Sequence, residues 1–487
     1  MTRHGWGPVS SLQGPNFVLV VADTTRADGF GLGTGGGAAP GLAAAAAGGR
    51  SYLRATSPSP WTAPAHASLF TGLAPSEHGV WRPNLFDDEG RARPKPVRGE
   101  VAERWLPVRL AAAGYRTLGI SANPWVAPYF GFDQGFERFQ STRSKGAAWS
   151  KRSLPSRLGR KLPVPVAVRL RRRPLAAKLR RLGPDMGARQ AVATMSAWLA
   201  ESRQPFFAFL NLMEAHWPYR PPLDFEGFSA AEARRAVDLL ARLGQFKAFQ
   251  LRAFFEHATL APEDLAMLRR LYLGEVSYLD GCLKELLDRL DDAGRLDDTV
   301  VVIVADHGEQ LGEHGLFGHG SSLYEQLVHV PLLVLGPAEL VGRGTEPARV
   351  STQRLYQAFQ DWVRAEEATL VNDELALAEY EGLWHHAGSI RRMRGGGHDS
   401  RLKATIWAVY DQDWKYVRDA TGAEALYDLA TDPGETTDVS ATGPLEALRK
   451  RLAAALVSHR PCLLGTKDER GDRDPEMEHE LRALGYL

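Results

Sequence analysis

Four residues with the chemistry to bind a metal ion and attack an ester are spread widely along this chain: Asp23, Thr62, Asp306 and His307. Two carboxylates and one imidazole suit a divalent cation such as Mn²⁺, Mg²⁺ or Zn²⁺. The Thr62 hydroxyl would complete that ligand set. Contact with a cation and the positive start of a helix both favour the alkoxide form of this hydroxyl, which is a nucleophile. The same cation would neutralise charge on a phosphoryl or sulfuryl centre.

The elements that must position these residues are predicted from short apolar runs and helix-period segments. The runs predict buried strands at residues 16–22, 116–121, 206–210, 299–305 and 330–335. The periodic segments predict helices at residues 101–113, 188–202 and 262–293, with a weaker surface helix at 40–47. Strands that alternate with helices predict an α/β fold, in which a mostly parallel sheet is sandwiched between helices. Ligands collect at the carboxyl ends of the strands in such sheets.

The pattern changes after about residue 366, where short strands with turns replace the alternation. The predicted elements are strands at 406–410, 414–418 and 425–429, followed by a helix at 444–458. We therefore expect a catalytic α/β domain at 1–365 and a smaller C-terminal subdomain at 366–487, built from an antiparallel sheet and a helix.

Bulk composition excludes several classes of protein. The chain has 487 residues, with 59 basic and 58 acidic side chains, so its total charge implies no obligate polyanionic partner. Two cysteines are too few for a disulfide framework or a cysteine-based zinc site. No run approaches the roughly 18 apolar residues of a membrane span, and no signal-peptide core precedes the first strand. We expect a cytoplasmic enzyme.

One segment, the basic run at residues 143–189, departs from this neutral balance. It holds 15 Lys and Arg residues and a single acid, Asp185. It could be a solvated insertion or lid beside the active site, or an electrostatic collar for an anionic substrate. Only Trp149 supplies an aromatic ring within it, so nucleic-acid binding is not favoured.

Residues 61–72 and 75–79 identify the family that this chain resembles. Together with an early Asp at a strand end and a late Asp-His-Gly, they resemble the sulfatase branch of the alkaline phosphatase superfamily. The resemblance continues through 318–320 and 330–332 and covers most of the chain. It implies the α/β fold predicted above and metal-assisted transfer of a phosphoryl or sulfuryl group.

The chain departs from the sulfatase pattern at residues that matter to the chemistry. The family's Cys or Ser, which is oxidised to formylglycine, is Thr62 here, and threonine cannot form that aldehyde hydrate. The second acid after the first strand is Thr24, and the late Asp-Asn is Asp306-His307. These changes remove oxygen ligands suited to calcium, so we expect Mn²⁺, Mg²⁺ or Zn²⁺ and no formylglycine. The Asp-His pair resembles that of phosphonate monoester hydrolases.

The resemblance also implies residues that surround the substrate. His216 matches the histidine that faces the leaving group and is the candidate general acid. His319 stands in place of a substrate-binding lysine, Asn123 is placed like a polar contact to the transferred group, and His66 replaces the arginine of the formylglycine motif. Each has a structural alternative: a core or surface histidine at 216, a loop histidine at 319, a turn-forming Asn before Pro, and helix packing at 66. Thr62 itself could be only an N-cap.

These residues predict a reaction class and leave alternatives. Formylglycine hydrate can expel sulfate by reverting to an aldehyde, whereas a threonyl ester must be attacked by water or another acceptor. We therefore expect a hydrolase or transferase of phosphate-type mono- or diesters that works through a Thr62 covalent intermediate on a small anionic ester. Sulfate-ester hydrolysis or sulfuryl transfer is the alternative. A catalytically silent anion-binding protein is a remote one, because it would need no Asp23–Asp306–His307 trio.

Overall fold

A computed structural model describes most of the chain, namely residues 14–32, 36–80, 100–142, 185–202, 205–221, 228–371, 375–382 and 405–458. Nearly all of the predicted basic run, residues 143–184, lies outside these ranges. The division of the chain at residue 365 remains a proposal.

Fourteen strands occur in the described residues, numbered in chain order as β1 Asn16–Ala22, β2 Gly49–Thr56, β3 Arg116–Ser121, β4 Arg138–Ser141, β5 Phe206–Leu212, β6 Thr299–Val304, β7 Gln310–Leu311, β8 Phe317–Gly318, β9 His329–Leu335, β10 Gly344–Ser351, β11 Leu377–Tyr380, β12 Ile406–Asp411, β13 Trp414–Asp419 and β14 Glu424–Asp428. Eight of them form one sheet in the order β10-β2-β9-β6-β1-β5-β3-β4. Within this sheet β9 runs antiparallel to its neighbours β2 and β6, and the other pairs are parallel. The prediction of a mostly parallel sheet is confirmed.

The described α-helices, in the same order, are α1 Ala27–Phe30, α2 Pro40–Ala45, α3 Thr62–Thr71, α4 Pro75–His78, α5 Glu100–Arg104, α6 Leu106–Ala112, α7 Ala188–Glu201, α8 Ala230–Arg242, α9 Phe246–Glu256, α10 Pro262–Asp292, α11 Glu325–Val328, α12 Ala338–Val341, α13 Leu355–Val363 and α14 Leu445–Ser458. None of them is long and apolar enough to cross a membrane. The cytoplasmic location stays a prediction.

Helices pack on both faces of the large sheet, and strand β1 shows this most simply. Its odd-numbered side chains, beginning with Phe17, join an apolar cluster that contains α3 and α13 residues. Its even-numbered side chains, beginning with Val18, join a second cluster with α7 and α10. Successive residues of a strand point to opposite faces, so β1 is buried from both sides. The predicted sandwich is confirmed.

The structure corrects one predicted helix and adds strands that were not predicted, among them β2 and β10 of the large sheet. Residues 101–113 are two helices, α5 and α6, because Pro107 has no N–H for a continuous helix and instead begins a new one in its first turn. Strands β2 and β10 were not predicted, since charged residues interrupt both. Strand β10 lies at the sheet edge and contains Pro347 with a bulge beside it, which is where a strand tolerates proline.

The C-terminal part forms a separate antiparallel sheet in the order β11-β12-β13-β14, with α14 packed against it through Leu448 and Leu452. The predicted subdomain is therefore present, and strand β11 extends it. A buried group that we call the lysine cluster connects the two sheets: Lys415, Glu325, Glu435, Arg349 and Tyr410. Lys415 is fully buried, and its Nζ lies 2.6 Å from Glu435 Oε1 and 3.2 Å from Glu325 Oε1.

Candidate active site

The carboxyl ends of β1 and β6 bring together acids that are far apart in sequence. These neighbouring parallel strands pair Val21 with Val304, so the residues that follow them lie at one edge of the sheet. Asp23, Asp306 and His307 meet there, each offering a ligand atom within 4.8 Å of the others. All three side chains are buried. We call this trio the aspartate site.

Thr62 lies beside the aspartate site, as predicted. Its Oγ1 lies 3.3 Å from His307 Nε2 and accepts a hydrogen bond of 3.3 Å from Asn123 Nδ2. Trp61, in extended conformation, occupies the N-cap position, and Thr62 is the first residue of α3. Thr62 is therefore not the N-cap, and its hydroxyl is directed to the candidate metal ligands.

The donor set of the aspartate site fits a divalent cation. Within the described residues, neither Asp23 Oδ1 nor Asp306 Oδ2 accepts a hydrogen bond, although both atoms are buried. His307 donates from Nδ1 to the Gly308 carbonyl at 2.9 Å, which leaves the lone pair on Nε2. That nitrogen lies 3.5 Å from Asp306 Oδ2 and 3.9 Å from Asp23 Oδ1. Two carboxylate oxygens and one imidazole nitrogen thus face one another.

The two acids of the aspartate site both have raised pKa values. Burial, followed by the charge of Asp306, raises the pKa of Asp23 to about 8. Burial likewise raises the pKa of Asp306 to about 7, although the N–H groups of His307 and Thr24 oppose this. Two buried carboxylates with raised pKa values are stabilised in their charged form by a bound cation.

Thr24 supports the acids through its backbone rather than through its side chain. Its φ of 57° is unusual for a β-branched residue. In this conformation its N–H donates to Asp306 Oδ1 at 3.2 Å, while its hydroxyl donates to the Asp23 carbonyl at 2.7 Å. The Tyr272 hydroxyl donates to the Thr24 carbonyl at 3.0 Å and holds the turn. The position where sulfatases carry a second acid therefore fixes the orientation of Asp306.

Asn123 contacts the candidate site and also forms the turn that was the structural alternative for it. Its Nδ2 donates to Asp23 Oδ2 at 2.6 Å and to Thr62 Oγ1 at 3.3 Å, which joins a candidate metal ligand to the candidate nucleophile. Its Oδ1 accepts from the Trp125 N–H at 2.9 Å, as in a turn. A contact from Asn123 to the transferred group stays a prediction.

His66 is buried inside the site and is engaged at both ring nitrogens. Nδ1 lies 3.0 Å from the Thr62 carbonyl, and Nε2 lies 3.3 Å from Asn211 Nδ2. Burial lowers the pKa of His66 to about 3, so the ring is neutral. The Asn211 amide donates to Nε2, hence Nδ1 carries the proton and donates to Thr62. The predicted contact with substrate is untested, and this geometry favours a role in holding the nucleophile.

His319 lies between His307 and His216 in a row of three neighbouring histidine rings. The His319 ring centroid is 4.5 Å from that of His307 and 5.1 Å from that of His216. Nδ1 of His216 donates to the Trp217 carbonyl at 2.7 Å, which places the lone pair of the neutral ring on Nε2. Burial, and then the charge of His319, lowers the pKa of His216 to about 3.

Sequence reasoning gave no role to two buried residues that the structure adds to the site, Glu309 and Asn211. Glu309 Oε1 lies 3.0 Å from His319 Nδ1 and fixes the orientation of that ring, and burial raises the pKa of Glu309 to about 7. Asn211 follows the apolar part of β5 at the same sheet edge as Asp23. Its place directly after a predicted strand was the signal that could have found it.

The C-terminal sheet contacts the region that carries Thr62. Trp61, directly before the candidate nucleophile, donates from Nε1 to Glu381 Oε1 at 2.9 Å. Glu379 on β11 accepts hydrogen bonds from the Ser76 N–H and hydroxyl at 2.7 and 2.9 Å. Both ends of the α3–α4 segment are therefore anchored to the second sheet.

This fold, with a hydroxyl, two acids and four histidines at the carboxyl edge of its sheet, is that of α/β enzymes that act on ester bonds. The sequence profile of the Sulfatase family matches residues 15–365. The chain belongs to the sulfatase family, as the resemblance indicated.

Individual relatives are distant. Arylsulfatase K of Xenopus laevis is 24% identical over 430 residues, which are 81% of this chain and 73% of that protein. The choline-sulfatase of Rhizobium meliloti is 26% identical over 256 residues, and the match spans about half of each chain (50% and 49%). The crystal structure of a phosphonate monoester hydrolase of Agrobacterium radiobacter superimposes with a TM-score of 0.62 at 22% identity, covering 92% of this chain and 95% of that one. This structural similarity shows that the two proteins share a fold.

Proposed function

We propose that this protein is a metal-dependent hydrolase or transferase of phosphate-type esters that acts through a covalent intermediate on Thr62. The observation that carries the proposal is the position of Thr62 Oγ1. It lies 3.3 Å from His307 Nε2, at the first residue of a helix, beside two carboxylate oxygens that accept no hydrogen bond from any described residue. A hydroxyl placed there is suited to act as a nucleophile itself.

The aspartate site would hold the cation through Asp23, Asp306, His307 and Thr62. When bound, a divalent cation would stabilise the Thr62 alkoxide and neutralise charge on the nonbridging oxygens of the ester. Asn123 would orient Thr62 Oγ1 for in-line attack, since its Nδ2 donates to that atom. His66 would hold the start of α3 through the Thr62 carbonyl.

The proton for the leaving group would come from His216 Nε2. With its pKa lowered to about 3 by burial, this ring is neutral before substrate binds. A bound anionic ester supplies negative charge beside the ring, which favours the imidazolium. The Thr62 hydroxyl would first lose its proton to water. As the resulting alkoxide oxygen, Oγ1, bonds to phosphorus and the bond to the leaving oxygen breaks, that oxygen takes the proton from His216. Water or an acceptor alcohol, with His216 as the base, then cleaves the threonyl ester.

Two features favour phosphate over sulfate. A threonyl ester lacks the breakdown route of formylglycine hydrate, so its release depends on attack by water or an acceptor. Furthermore, the Asp306-His307 pair supplies nitrogen where the sulfatase pattern has an amide oxygen. Among proteins of this fold, the hydrolase of Agrobacterium radiobacter is described as acting on phosphonate monoesters. Sulfate esters remain the second candidate substrates, because the family carries that name.

A substrate panel combined with a Thr62→Ala variant tests the proposal. Purified protein would be assayed with Mn²⁺ on aryl phosphate monoesters, phosphate diesters, phosphonates and sulfates of one aryl alcohol. We expect the phosphate-type esters to be turned over faster than the sulfate and Thr62→Ala to be inactive. Thr71→Ala, on the same helix, is the control, because the Thr71 hydroxyl bonds only to nearby backbone, donating to the Ala67 carbonyl and accepting from the Leu73 N–H. Unchanged turnover by Thr62→Ala would refute the nucleophile assignment.

Metal removal tests the ligand set separately. A chelator should abolish turnover, and Mn²⁺ should restore it better than Ca²⁺, because an imidazole ligand suits a transition metal and calcium prefers oxygen. Full recovery with Ca²⁺ and little with Mn²⁺ would contradict the proposed role of His307 as a ligand.

A further inference from the structure

Asn211 occupies the centre of a buried hydrogen-bond network behind the reacting groups. It lies on β5, between β1 and β3, where it pairs with Val21 on one side and Ser121 on the other. Its side chain is fully buried and contacts four partners, two through oxygen and two through nitrogen. A side-chain amide can form this number of bonds with a single orientation.

The orientation of the amide is fixed by the backbone of Asn123. The Asn123 N–H can only donate, and it donates to Asn211 Oδ1 at 3.1 Å. The Ser121 hydroxyl lies 3.4 Å from the same oxygen. Nδ2 of Asn211 must therefore point in the opposite direction, toward Asp23 and His66.

Nδ2 of Asn211 contacts both a candidate metal ligand and the histidine beside the candidate nucleophile. Nδ2 donates to Asp23 Oδ2 at 3.3 Å, the oxygen that also accepts from Asn123, so that Asp23 Oδ1 is left for the cation. Nδ2 also lies 3.3 Å from His66 Nε2, which places the proton of His66 on Nδ1, against the Thr62 carbonyl. One amide thus links a metal ligand with the ring that holds the nucleophile.

We propose that Asn211 is a positioning residue that sets the orientation of Asp23, His66 and Asn123 together around Thr62. The proposal rests on the proposed function of Thr62 and extends it to a residue that contacts neither substrate nor metal. Groups behind metal ligands typically contribute about 10- to 100-fold to metal affinity or activity. Here one residue supports both the ligand and the nucleophile.

An Asn211→Leu variant tests this, because leucine has the same number and branching of side-chain heavy atoms but no donor or acceptor. We expect weaker Mn²⁺ binding, by about 10-fold or more, measured by electron paramagnetic resonance of the free ion during titration. We also expect kcat on the best ester of the panel to fall about 100-fold with little change in KM, since misplaced groups cost catalysis rather than binding. If the leucine variant does not fold, Asn211→Ser, which keeps one hydroxyl, is measured instead with the same expected directions.

Asn16 provides a matched control. It is also a buried asparagine of the sheet, and it donates to the Asp298 carbonyl at 3.2 Å and accepts from the Phe206 N–H at 3.1 Å, at the amino end of β1, away from the site. Asn16→Leu should lower Tm comparably and leave Mn²⁺ affinity and kcat within about threefold of the parent. If Asn211→Ser is measured, Asn16→Ser is its matched control.

The outcomes separate the two proposals. Unchanged Mn²⁺ affinity and kcat in the Asn211 variant, or equal losses in the Asn16 variant, would overturn the positioning role. If Thr62→Ala retained full turnover, the proposed function would fail. The Mn²⁺ titration of the Asn211 variant would still test whether Asn211 supports Asp23 as a metal ligand. A parent protein that binds no Mn²⁺ would overturn the metal assignment and the positioning role together.

Discussion

Two buried groups of acids in this protein, the lysine cluster and the aspartate site, have opposite electrostatic arrangements. In the lysine cluster, burial would raise the pKa of Glu325, but the charges of Lys415 and Arg349 more than offset this and lower it. In the aspartate site, the pKa of Asp23 is raised to about 8 by burial and by the charge of Asp306. The first group contains its own cations and the second does not.

The difference separates acids that connect the two sheets from acids proposed to bind a metal ion. Acids buried with a lysine have a counter-charge beside them and connect the two sheets through bonds such as Tyr410 Oη to Glu325 Oε1 at 2.8 Å. Acids buried against each other, with oxygens that accept no hydrogen bond from the described residues, repel until a cation binds. Burial and charge alone would class the groups together, whereas the source of the counter-charge distinguishes them.

The largest expected effect comes from removing the internal cation. Lys415→Met leaves Glu325 and Glu435 buried without their lysine, and we expect a loss of about 3–5 kcal/mol in the free energy of unfolding, measured by urea titration. Lys284→Met is the control, because Lys284 forms an exposed pair with Asp288 on α10 and should cost less than about 1 kcal/mol. Equal losses in the two variants would show that the lysine cluster contributes no more than a surface pair.

Removing an acid from the aspartate site should not destabilise the metal-free protein, in contrast to removing Lys415 from the lysine cluster. Asp306→Asn takes away one of two repelling charges, so we expect unchanged or higher Tm without metal. It also deletes a ligand, so kcat should fall by more than the ~100-fold typical of losing a supporting group. Calorimetry and initial rates measure the two effects, with exposed Asp288→Asn as the control. A large drop in metal-free Tm would place Asp306 with the structural acids.

Added metal should stabilise the protein through the aspartate site alone. At 100 times its Kd, Mn²⁺ should add about 2.7 kcal/mol of stability. We expect the same gain in the parent and in Lys415→Met, and little gain in Asp306→Asn. A gain in Asp306→Asn equal to that of the parent would mean that the stabilising ion binds elsewhere.

The smallest effect concerns Glu214, a buried acid that belongs to neither group. Burial, followed by interaction with Asp185, raises its pKa well above 4.5. Above about pH 4.5 the folded protein thus keeps a proton that the unfolded chain releases. The contribution of Glu214 to stability is therefore greatest below that pH, and it falls as the pH rises toward the raised pKa, by up to ~1.4 kcal/mol per pH unit. Glu214→Gln cannot ionise and should flatten this slope, measured as Tm against pH. Glu201→Gln, on the exposed end of α7, is the control and should leave the slope of Tm against pH unchanged. If Glu214→Gln had the same slope as the parent protein, Glu214 would not be the source of the pH dependence.

The sequence predicted the parts of the fold that have a simple period. Buried strands such as β1 are continuous apolar runs, and α10 has a long helical period, so both were located within one residue. Strands β2 and β10 could not be found this way, because charged residues such as Arg54 and Arg349 interrupt their apolar pattern. Pro107 marked the break between α5 and α6, but its effect depends on whether the helix restarts, which packing decides.

The site was predicted as far as its residue types and their order allowed. The meeting of Asp23, Thr62, Asp306 and His307 follows from their places beside strand and helix ends. The place of Asn211 directly after a predicted strand indicates its sheet edge, but its four partners could not be predicted from the sequence. Those partners come from β1, α3 and β3, and only the folded sheet brings them together.

The most direct test of the account is to find the covalent intermediate. Parent protein with Mn²⁺ would be mixed with an aryl phosphate-type ester, quenched in acid at times shorter than one turnover, digested and analysed by tandem mass spectrometry. The account predicts a phosphoryl-type adduct on Thr62 that forms and decays at rates compatible with turnover, and that accumulates when His216→Ala slows its hydrolysis. Turnover without any adduct, or with an adduct on another residue, would contradict it.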